Sequence, residues 1–267
     1  MLNAALIMNA YEKLAQESHE ASYFLIEVEV VEETGSTNAD LLQRAQDINK
    51  PLALIARHQT AGRGRAGRVW HSVADDVLTF SLAWRTEKTA QELMGVSLVI
   101  GVALAEKLLE IGVPVNLKWP NDILKEGKKL AGILIESQKK YDGSTCLVMG
   151  VGLNLRASDA FEKIIGQTVA DSAWLAQMDR NELMAHLLYA LAQAMNHFEQ
   201  AGFSYFQHRW NQLNAHAHQM VNIIDNGQIV HHGTIVGIDT QGRLLLQTKT
   251  GQVSIHTGDV SLRTAIV

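Results

Sequence analysis

The sequence predicts an α/β protein of the α+β type, in which a mixed β-sheet backed by helices precedes a small SH3-like β-barrel. Two observations lead to this fold class. Strand-like and helix-like segments are interspersed up to about residue 215, and short β runs punctuated by glycine follow. We therefore place a larger N-terminal domain over residues 1–215 and a small C-terminal domain over residues 216–267.

The first half of the chain supplies most of the expected sheet. Apolar residues at helical spacing predict a helix within residues 1–20, and the alternating segment SYFLIEVEVV predicts a strand. In GSTNADLLQRAQD, Ser36 or Thr37 can cap a helix that turns Leu41 and Leu42 inward. PLALIARH and VLTFSLAW read as further strands. A long helix is predicted over residues 90–112.

The second half of the chain has further strand-like and helix-like segments, which are followed by short β segments only. VNLKWPND, KLAGILIES and TCLVMGVGLNL are strand-like, and residues 180–202 and 203–213 have helical periodicity. Four short β segments come after about residue 217, namely MVNIID, IVHHGTIVGID, GRLLLQTKT and GQVSIHTGD. Their close spacing predicts the small C-terminal barrel.

Composition narrows the class of protein. The 267 residues are 47% hydrophobic, which allows a sizeable core and excludes general disorder. The net charge is -5, and the first 34 residues hold seven acidic side chains against Lys13 alone, so we expect no DNA binding. Cys146 is the only cysteine, which argues against disulfides. With no basic leader and no apolar run of about 20 residues, we expect a cytoplasmic protein without a membrane partner.

A glycine-rich loop, HQTAGRGRAGRVWHS, is the most distinctive local feature. The spacing of Gly62, Gly64 and Gly67 resembles a dinucleotide-binding fingerprint, but the residues after Gly67 lack the helical periodicity that this motif requires. A phosphate-binding loop of the Walker type is also excluded, because Arg68 stands where lysine would have to follow the glycine.

The arginines of this loop indicate phosphate binding. Arg57, Arg63, Arg65 and Arg68 have no acidic residue among them, and planar guanidinium groups bind phosphate in a bidentate manner. The alternative is a solvated basic turn. Trp70 could be an ordinary core residue or the wall of an apolar pocket.

Two further segments complete the candidate site. In LKWPNDILKEGKKLAGILIES, Pro120 makes a turn that presents Asn121 and Asp122 at the end of a strand. Lys129 begins the next strand, where an exposed structural lysine is the common alternative. The glycines of the segment Gly150-Val-Gly-Leu-Asn154 would let a flat ligand approach the backbone closely.

Together these segments resemble a known family. GSTNADLL, QTAGRGRAGRVW, KWPNDILKEGKKLAGIL and GVGLNL are similar, in order and spacing, to the signature motifs of biotin protein ligases. The strong resemblance runs from Thr34 to Leu155 and implies a class II synthetase-like catalytic fold. It also implies a two-step reaction, in which biotin and ATP give biotinyl-5'-AMP and pyrophosphate, and biotin then passes to a carrier lysine.

The resemblance implies roles for particular residues. The catalytic residues would be Arg63, Arg65 and Lys129. Biotin would be bound by Ser36, Thr37, Asn38, Gln59, Gly62, Arg63, Gly64, Arg65, Trp70, Lys129, Gly132 and Leu134. ATP would be bound by Arg65, Arg68, Lys118, Asn121, Lys129 and Asn154.

The resemblance also implies cofactors and partners. ATP and biotin would be substrates, Mg²⁺ would be held mainly by phosphate oxygens without a dedicated protein site, and the partner would be the biotin carboxyl carrier domain of acetyl-CoA carboxylase. Some family members carry an N-terminal DNA-binding domain. Only about 30 residues precede the first motif here, so we expect the short form without that domain.

Several alternatives stay open on the sequence. A lipoate or octanoate ligase or transferase has a related fold, and a biotin sensor would bind biotin without turnover. Asp122 either acts near the incoming lysine or holds the turn, while Trp174 is interpreted as a core residue rather than an adenine-stacking one. The oligomeric state, with a homodimer among the options, and the reach of Arg263 toward the nucleotide are not fixed. The histidines predict no zinc site.

Overall fold

The computed structural model describes residues 1–18, 25–157, 162, 169–225 and 228–256, with the backbone of residues 261–264. These residues form a seven-stranded and a five-stranded sheet. The first consists of β1 (Glu27–Thr34), β2 (Leu52–Gln59), β3 (Val77–Thr86), β4 (Asn116–Lys118), β5 (Asp122–Lys125), β6 (Lys128–Lys139) and β7 (Thr145–Asn154). The second consists of β8 (Met220–Asp225), β9 (Gln228–Ile238), β10 (Leu244–Thr248), β11 (Gly251–Ile255) and β12 (Ser261–Thr264).

The large sheet is mixed, as predicted. Its strand order is β1-β2-β3-β7-β6-β5-β4, with β1 and β2 parallel and every other pair antiparallel. The second sheet, in the order β11-β10-β9-β8-β12, is antiparallel throughout. The predicted fold class, a helix-backed mixed sheet followed by a small β domain, is therefore confirmed.

Helices cover one face of the large sheet. The described α-helices are α1 (Ala4–Glu17), α2 (Thr37–Gln43), α3 (Val96–Glu110), α4 (Ala173–Gln177), α5 (Arg180–Ala201) and α6 (Ser204–Leu213). Helices α1, α3 and α5 bury their apolar side chains against the sheet in a single core. Helix α3 begins at Val96, six residues later than the sequence pattern predicts. Gly95 has a φ of 85°, which is incompatible with a right-handed helix, so the helix can begin only after this residue.

The two faces of strand β7 have different surroundings. Leu147, Met149 and Val151 point into the helix-covered core, whereas Gly150 and Gly152 alternate with them on the opposite face. The short helix α2 and the glycine-rich loop lie over that second face, where Leu41 and Val148 form a smaller apolar cluster. The second face therefore carries little side-chain volume of its own at these two positions of β7.

The second sheet is attached to the first by polar and apolar contacts. The indole nitrogen of Trp119 donates a buried hydrogen bond to the carbonyl of Gly242 (3.1 Å), and the backbone nitrogen of Ala215 donates to Leu117 (2.8 Å). Helix α6 ends at Leu213, and β8 begins at Met220. We propose on this basis that the boundary between the two domains lies near residue 215.

None of the helices in the described ranges is long and apolar enough to span a membrane. The longest, α5, has 22 residues and follows the helical core pattern instead, with Leu187, Leu191 and Phe198 buried.

The Trp119 hydrogen bond gives a prediction about stability. Trp119→Phe keeps an aromatic ring in the core but leaves the buried Gly242 carbonyl without its donor, so we expect the free energy of unfolding to fall by about 1–3 kcal/mol. Urea denaturation measures this. Trp174→Phe is the matched control, because that indole also donates to a carbonyl, of Ile111, but is 57% exposed. Equal losses in both variants would contradict the account.

Candidate active site

Lys129 reaches the open face of the sheet because of a β-bulge. In the pairing of β5 with β6, Leu124 lies opposite Lys129 and Ile123 lies opposite Ala131, so Leu130 is an extra residue in β6. A bulge of this kind changes the face to which the preceding side chain points. Leu130 is fully buried in the helix-side core, and Lys129 points to the other face together with Gly132.

The Lys129 ammonium group lies among three defined neighbours. Its Nζ is 2.6 Å from Oδ1 of Asp122, and the two side chains of this ion pair are only 27% and 19% exposed. The same Nζ lies 5.4 Å from the ring centroid of Trp70, within cation–π range. A Cβ built on Gly132 would lie 3.0 Å from Nζ, so the absence of a side chain at Gly132 makes room for the lysine.

The strip of sheet beside Lys129 contains three glycines, Gly132, Gly150 and Gly152, which have no side chains. Gly132 lies opposite Gly152 and Leu134 lies opposite Gly150 in the pairing of β6 with β7. The indole of Trp70 rests directly on Gly152, since a Cβ there would lie 2.1 Å from Cε2 and 2.4 Å from Nε1 of the ring. Trp70 is therefore only partly buried, lies outside the main core and covers this strip of the sheet.

The glycine-rich loop folds back on itself. Arg63 and Val69 form an isolated antiparallel bridge, and the nitrogen of Trp70 donates to the carbonyl of Gly62 (2.9 Å). A 3₁₀ turn at Arg65–Gly67 closes the loop, with Gly67 at a φ of 70°. No α-helix begins within residues 68–76, so the exclusion of a dinucleotide-binding fold is confirmed.

The arginines of the loop differ in their surroundings. Arg63 donates to Oε2 of Glu136 (2.9 Å), and Arg65 donates to Oδ1 of Asn121 (3.3 Å). Arg68 is exposed at the edge of the loop. Arg57 is turned away from the loop and pairs with Glu32 at 3.0 Å, so the loop itself presents three of the four arginines of the motif.

The Ser-Thr-Asn element lies under the other end of the loop. Ser36 occupies the N-cap position of α2, but its hydroxyl makes no capping hydrogen bond. Oε1 of Gln59, at the end of β2, accepts from the backbone nitrogen of Thr37 (2.8 Å). Asn38 donates to the carbonyl of Leu134 (3.3 Å), and all of these polar side chains are buried.

The remaining predicted residues lie around Lys129. Nδ2 of Asn121 donates to the carbonyl of Ile133 (2.8 Å), and Nδ2 of Asn154 donates to the carbonyl of Lys129 (3.3 Å). Lys118 lies opposite Asp122 in the pairing of β4 with β5.

Besides Oδ1 of Asp122, whose only neighbour of opposite charge in the described part of the chain is the Lys129 ammonium group, two buried polar atoms in this region have no hydrogen-bond partner among the described residues, namely Nε1 of Trp70 and Oδ1 of Asn154. Such atoms are expected where a polar ligand binds.

Sequence reasoning missed two residues and misread one. Ser81 of β3 and Glu136 of β6 contact the Ser-Thr-Asn element, although each looks like an ordinary strand residue in the sequence. A signal for Ser81 was available, since it interrupts the apolar strand VLTFSLAW. The interpretation of Trp174 as a core residue is wrong, because its side chain is largely exposed on α4. The side chain of Arg263 lies outside the described residues.

The described residues support neither a cysteine nucleophile nor a metal site. Burial raises the pKa of the Cys146 thiol, with a smaller opposing effect of the Lys140 cation, and the side chain is fully buried, so it is not a nucleophile. Within the described ranges, no three His, Cys, Asp or Glu side chains lie together as they would in a metal site.

The chain is similar to proteins of known class in both of its parts. Residues 28–154 match the biotin/lipoate A/B protein ligase family, and residues 218–263 match the biotin protein ligase C-terminal domain. The bifunctional ligase/repressor BirA of Salmonella typhimurium is 38% identical over 86% of this chain and 72% of its own length. A biotin--[acetyl-CoA-carboxylase] ligase of Mycobacterium tuberculosis is 35% identical over 88% of both chains.

A solved structure agrees with these sequence matches. The biotin protein ligase of Aquifex aeolicus, in complex with biotin and ATP, superimposes with a TM-score of 0.76 and 29% identity over 89% of this chain and 99% of that chain. Fold and site thus define an ATP-dependent ligase that modifies proteins with a carboxylic acid cofactor. Within that class, the chain belongs to the biotin protein ligase family.

The glycine strip gives a prediction about ligand binding. In Gly152→Ala the new methyl group would collide with the Trp70 indole, which has to leave its position, so we expect at least about tenfold weaker biotin binding in calorimetry. Gly35→Ala is the matched control, because a Cβ there meets nothing within 4 Å. Unchanged binding in Gly152→Ala would exclude Trp70 and Gly152 from the pocket.

Proposed function

We propose that this biotin protein ligase converts biotin and ATP to biotinyl-5'-AMP and pyrophosphate, and then transfers biotin to a lysine of a biotin carboxyl carrier domain of acetyl-CoA carboxylase. One observation carries the proposal: the bulge in β6 directs Lys129 to a strip of side-chain-free sheet, beside Trp70 and facing the arginine loop. The ligands in the solved Aquifex aeolicus relative and the name of the Mycobacterium tuberculosis relative support the choice of substrates and carrier.

The first step brings two anions together. A carboxylate oxygen of biotin attacks the α-phosphorus of ATP, the bond from that phosphorus to the bridging oxygen breaks, and pyrophosphate leaves with the electron pair. Lys129, Arg63 and Arg65 are placed to neutralise the charge that both reactants present at the reacting centre, and holding the reactants in contact lowers the entropic part of the barrier.

Recognition of the biotin ring uses different groups. The indole of Trp70 offers an apolar wall, and the buried side chains of Thr37 and Gln59 offer hydrogen-bonding partners to the ureido group. Gly62 keeps the loop close to this pocket, since a Cβ there would lie 2.3 Å from the carbonyl oxygen of Trp70.

In the second step the carrier lysine is the nucleophile. Its neutral amine attacks the acyl carbon of the adenylate, AMP leaves, and the amine loses a proton. No enzyme nucleophile is required. We propose that Asp122 orients Lys129 through their ion pair rather than reacting itself.

Magnesium would enter this site bound to the phosphate oxygens of ATP. Within the described ranges no three His, Cys, Asp or Glu side chains lie together, and the Asp122 carboxylate is already paired with Lys129, so the donors among these residues do not form a protein-held metal site. Magnesium held by phosphate oxygens would offset the charge of the triphosphate.

We also propose that the chain does not bind DNA. The net charge is -5, and α1 belongs to the ligase core, where Ile7 and Tyr11 are buried and the Tyr11 ring contacts Tyr189 edge-on. A basic surface for the phosphate backbone is therefore not expected at this end.

Pyrophosphate exchange into ATP tests the reaction. We expect exchange that depends on biotin, does not occur with lipoate or octanoate, and falls by about 100-fold or more in Lys129→Ala and Arg65→Ala, because each variant loses a cation at the reacting centre. The matched control is Lys128→Ala, which removes the neighbouring, exposed lysine and should leave exchange unchanged.

The alternatives give different results in the same assay. Exchange that follows lipoate would keep the fold and overturn the substrate. Biotin binding without any exchange would make the protein a sensor and contradict the proposed reaction.

Ordering of the loop gives a separate prediction. Arg68 is exposed and follows Gly67, so trypsin should cleave there in the free protein. We expect biotin with ATP to slow this cleavage by about tenfold or more, because the closed loop binds the adenylate. Cleavage at the exposed Lys249, in the turn between β10 and β11, is the internal reference. Equal cleavage rates with and without ligands would contradict loop closure.

A further inference from the structure

A chain of side-chain hydrogen bonds connects the biotin side of the site to the arginine loop. Oγ1 of Thr37 lies 2.6 Å from Oγ of Ser81, and Ser81 donates to Oδ1 of Asn38 (2.5 Å). Nδ2 of Asn38 donates to Oε2 of Glu136 (2.9 Å). The same carboxylate oxygen accepts from Nη2 of Arg63 (2.9 Å). Glu136 is thus the residue at which the two parts of the site meet.

The carboxylate of Glu136 fixes the direction of every hydrogen bond in this chain. An ionised carboxylate can only accept, so the amide of Asn38 must turn its Nδ2 toward Glu136 and its Oδ1 toward Ser81. The single hydroxyl proton of Ser81 is then used on Asn38. The Thr37 hydroxyl has two neighbours, Oγ of Ser81 at 2.6 Å and Oε1 of Gln59 at 3.1 Å. Because Ser81 has no proton left to donate to Thr37, the single Thr37 proton is directed to the nearer Ser81 rather than to Gln59, and a lone pair of the Thr37 hydroxyl is left to accept from a ligand.

The packing around Asn38 does not permit the reverse arrangement at low cost. The side chain is 3% exposed, and Nδ2 also faces the Leu134 carbonyl at 3.3 Å, which again requires a donor. A Cβ on Gly150 would lie 2.3 Å from Oδ1 of Asn38, so the amide occupies the space that this glycine leaves open. A flipped amide would place two acceptors face to face in a buried position.

We propose that Glu136 is a positioning residue with two effects on the reaction proposed above. Through Asn38 and Ser81 it makes the Thr37 hydroxyl an acceptor, which suits the N–H groups of the ureido ring. Through the ion pair it holds Arg63 at the loop that encloses the adenylate. The inference rests on the proposed function and names the residue that links the biotin pocket to the loop.

Two substitutions separate the two effects. Glu136→Gln keeps an oxygen that accepts from Asn38 but loses the charge that attracts Arg63. We expect biotin affinity within about twofold of the wild type and a turnover number for biotin-dependent pyrophosphate exchange about tenfold lower. Glu136→Leu removes the acceptor as well, and we expect biotin binding, measured by calorimetry without ATP, to weaken about tenfold in addition.

A double-mutant cycle tests whether Glu136 acts through Arg63. In an Arg63→Ala background, Glu136→Gln should have no further effect on turnover, because its partner is already absent. Glu29→Gln is the matched control, since Glu29 forms a comparable carboxylate–arginine pair with Arg44 (2.6 Å) on the surface. Its exchange rate and biotin affinity should equal those of the wild type.

The measurements distinguish a failure of the Glu136 inference from a failure of the proposed function. Turnover unchanged in Glu136→Gln, additive losses in the double variant, or unchanged biotin binding in Glu136→Leu would each overturn the inference. Equal losses of biotin affinity in both Glu136 variants, with lower thermal stability, would assign a structural role instead and also overturn it. A wild-type protein without biotin-dependent exchange would contradict the proposed function, whereas the binding comparison would still decide the role of Glu136.

Discussion

The missing side chains on one face of β6 and β7 are the constraint on which the site depends. Gly132, Gly150 and Gly152 leave a strip of bare backbone, and three separate groups occupy the space above it: Lys129 beside Gly132, Asn38 over Gly150 and Trp70 over Gly152. The opposite face of the same strands is apolar and covered by helices, which anchors the strip in the main core. A single strand pair therefore serves as part of the core and as the floor of the site.

Three positively charged side chains, Lys129, Arg63 and Arg65, surround the glycine strip. The bulge at Leu130 places one ammonium group over the strip, and the folded loop brings Arg63 and Arg65 toward it. Each of these cations is paired with a polar side chain of β5, β6 or the turn between β4 and β5, so their positions are set before a substrate arrives. Preorganised charge of this kind is effective where anionic reactants must meet.

The sequence predicted the elements and the segments of the site, but not how the segments touch. Motif order and glycine spacing identified the loop, Lys129 and the Ser-Thr-Asn element. The bulge could not be predicted, because an extra residue in a strand is visible only in the pairing with its neighbour. Glu136 and Ser81 were missed for a related reason, since their roles follow from cross-strand contacts with Asn38. Trp174 was misread because burial of a tryptophan depends on tertiary packing.

The central claim is that the bare strip beside Trp70 and Lys129 binds biotin. A crystal structure of this chain with biotin and a non-hydrolysable ATP analogue tests it most directly. The account predicts the bicyclic ring within ~4 Å of the Trp70 indole, the ureido group hydrogen-bonded to Thr37, and the carboxylate at hydrogen-bond distance from Nζ of Lys129. Biotin bound instead in the cavity lined by Glu32, Arg57 and Ser72 would contradict it.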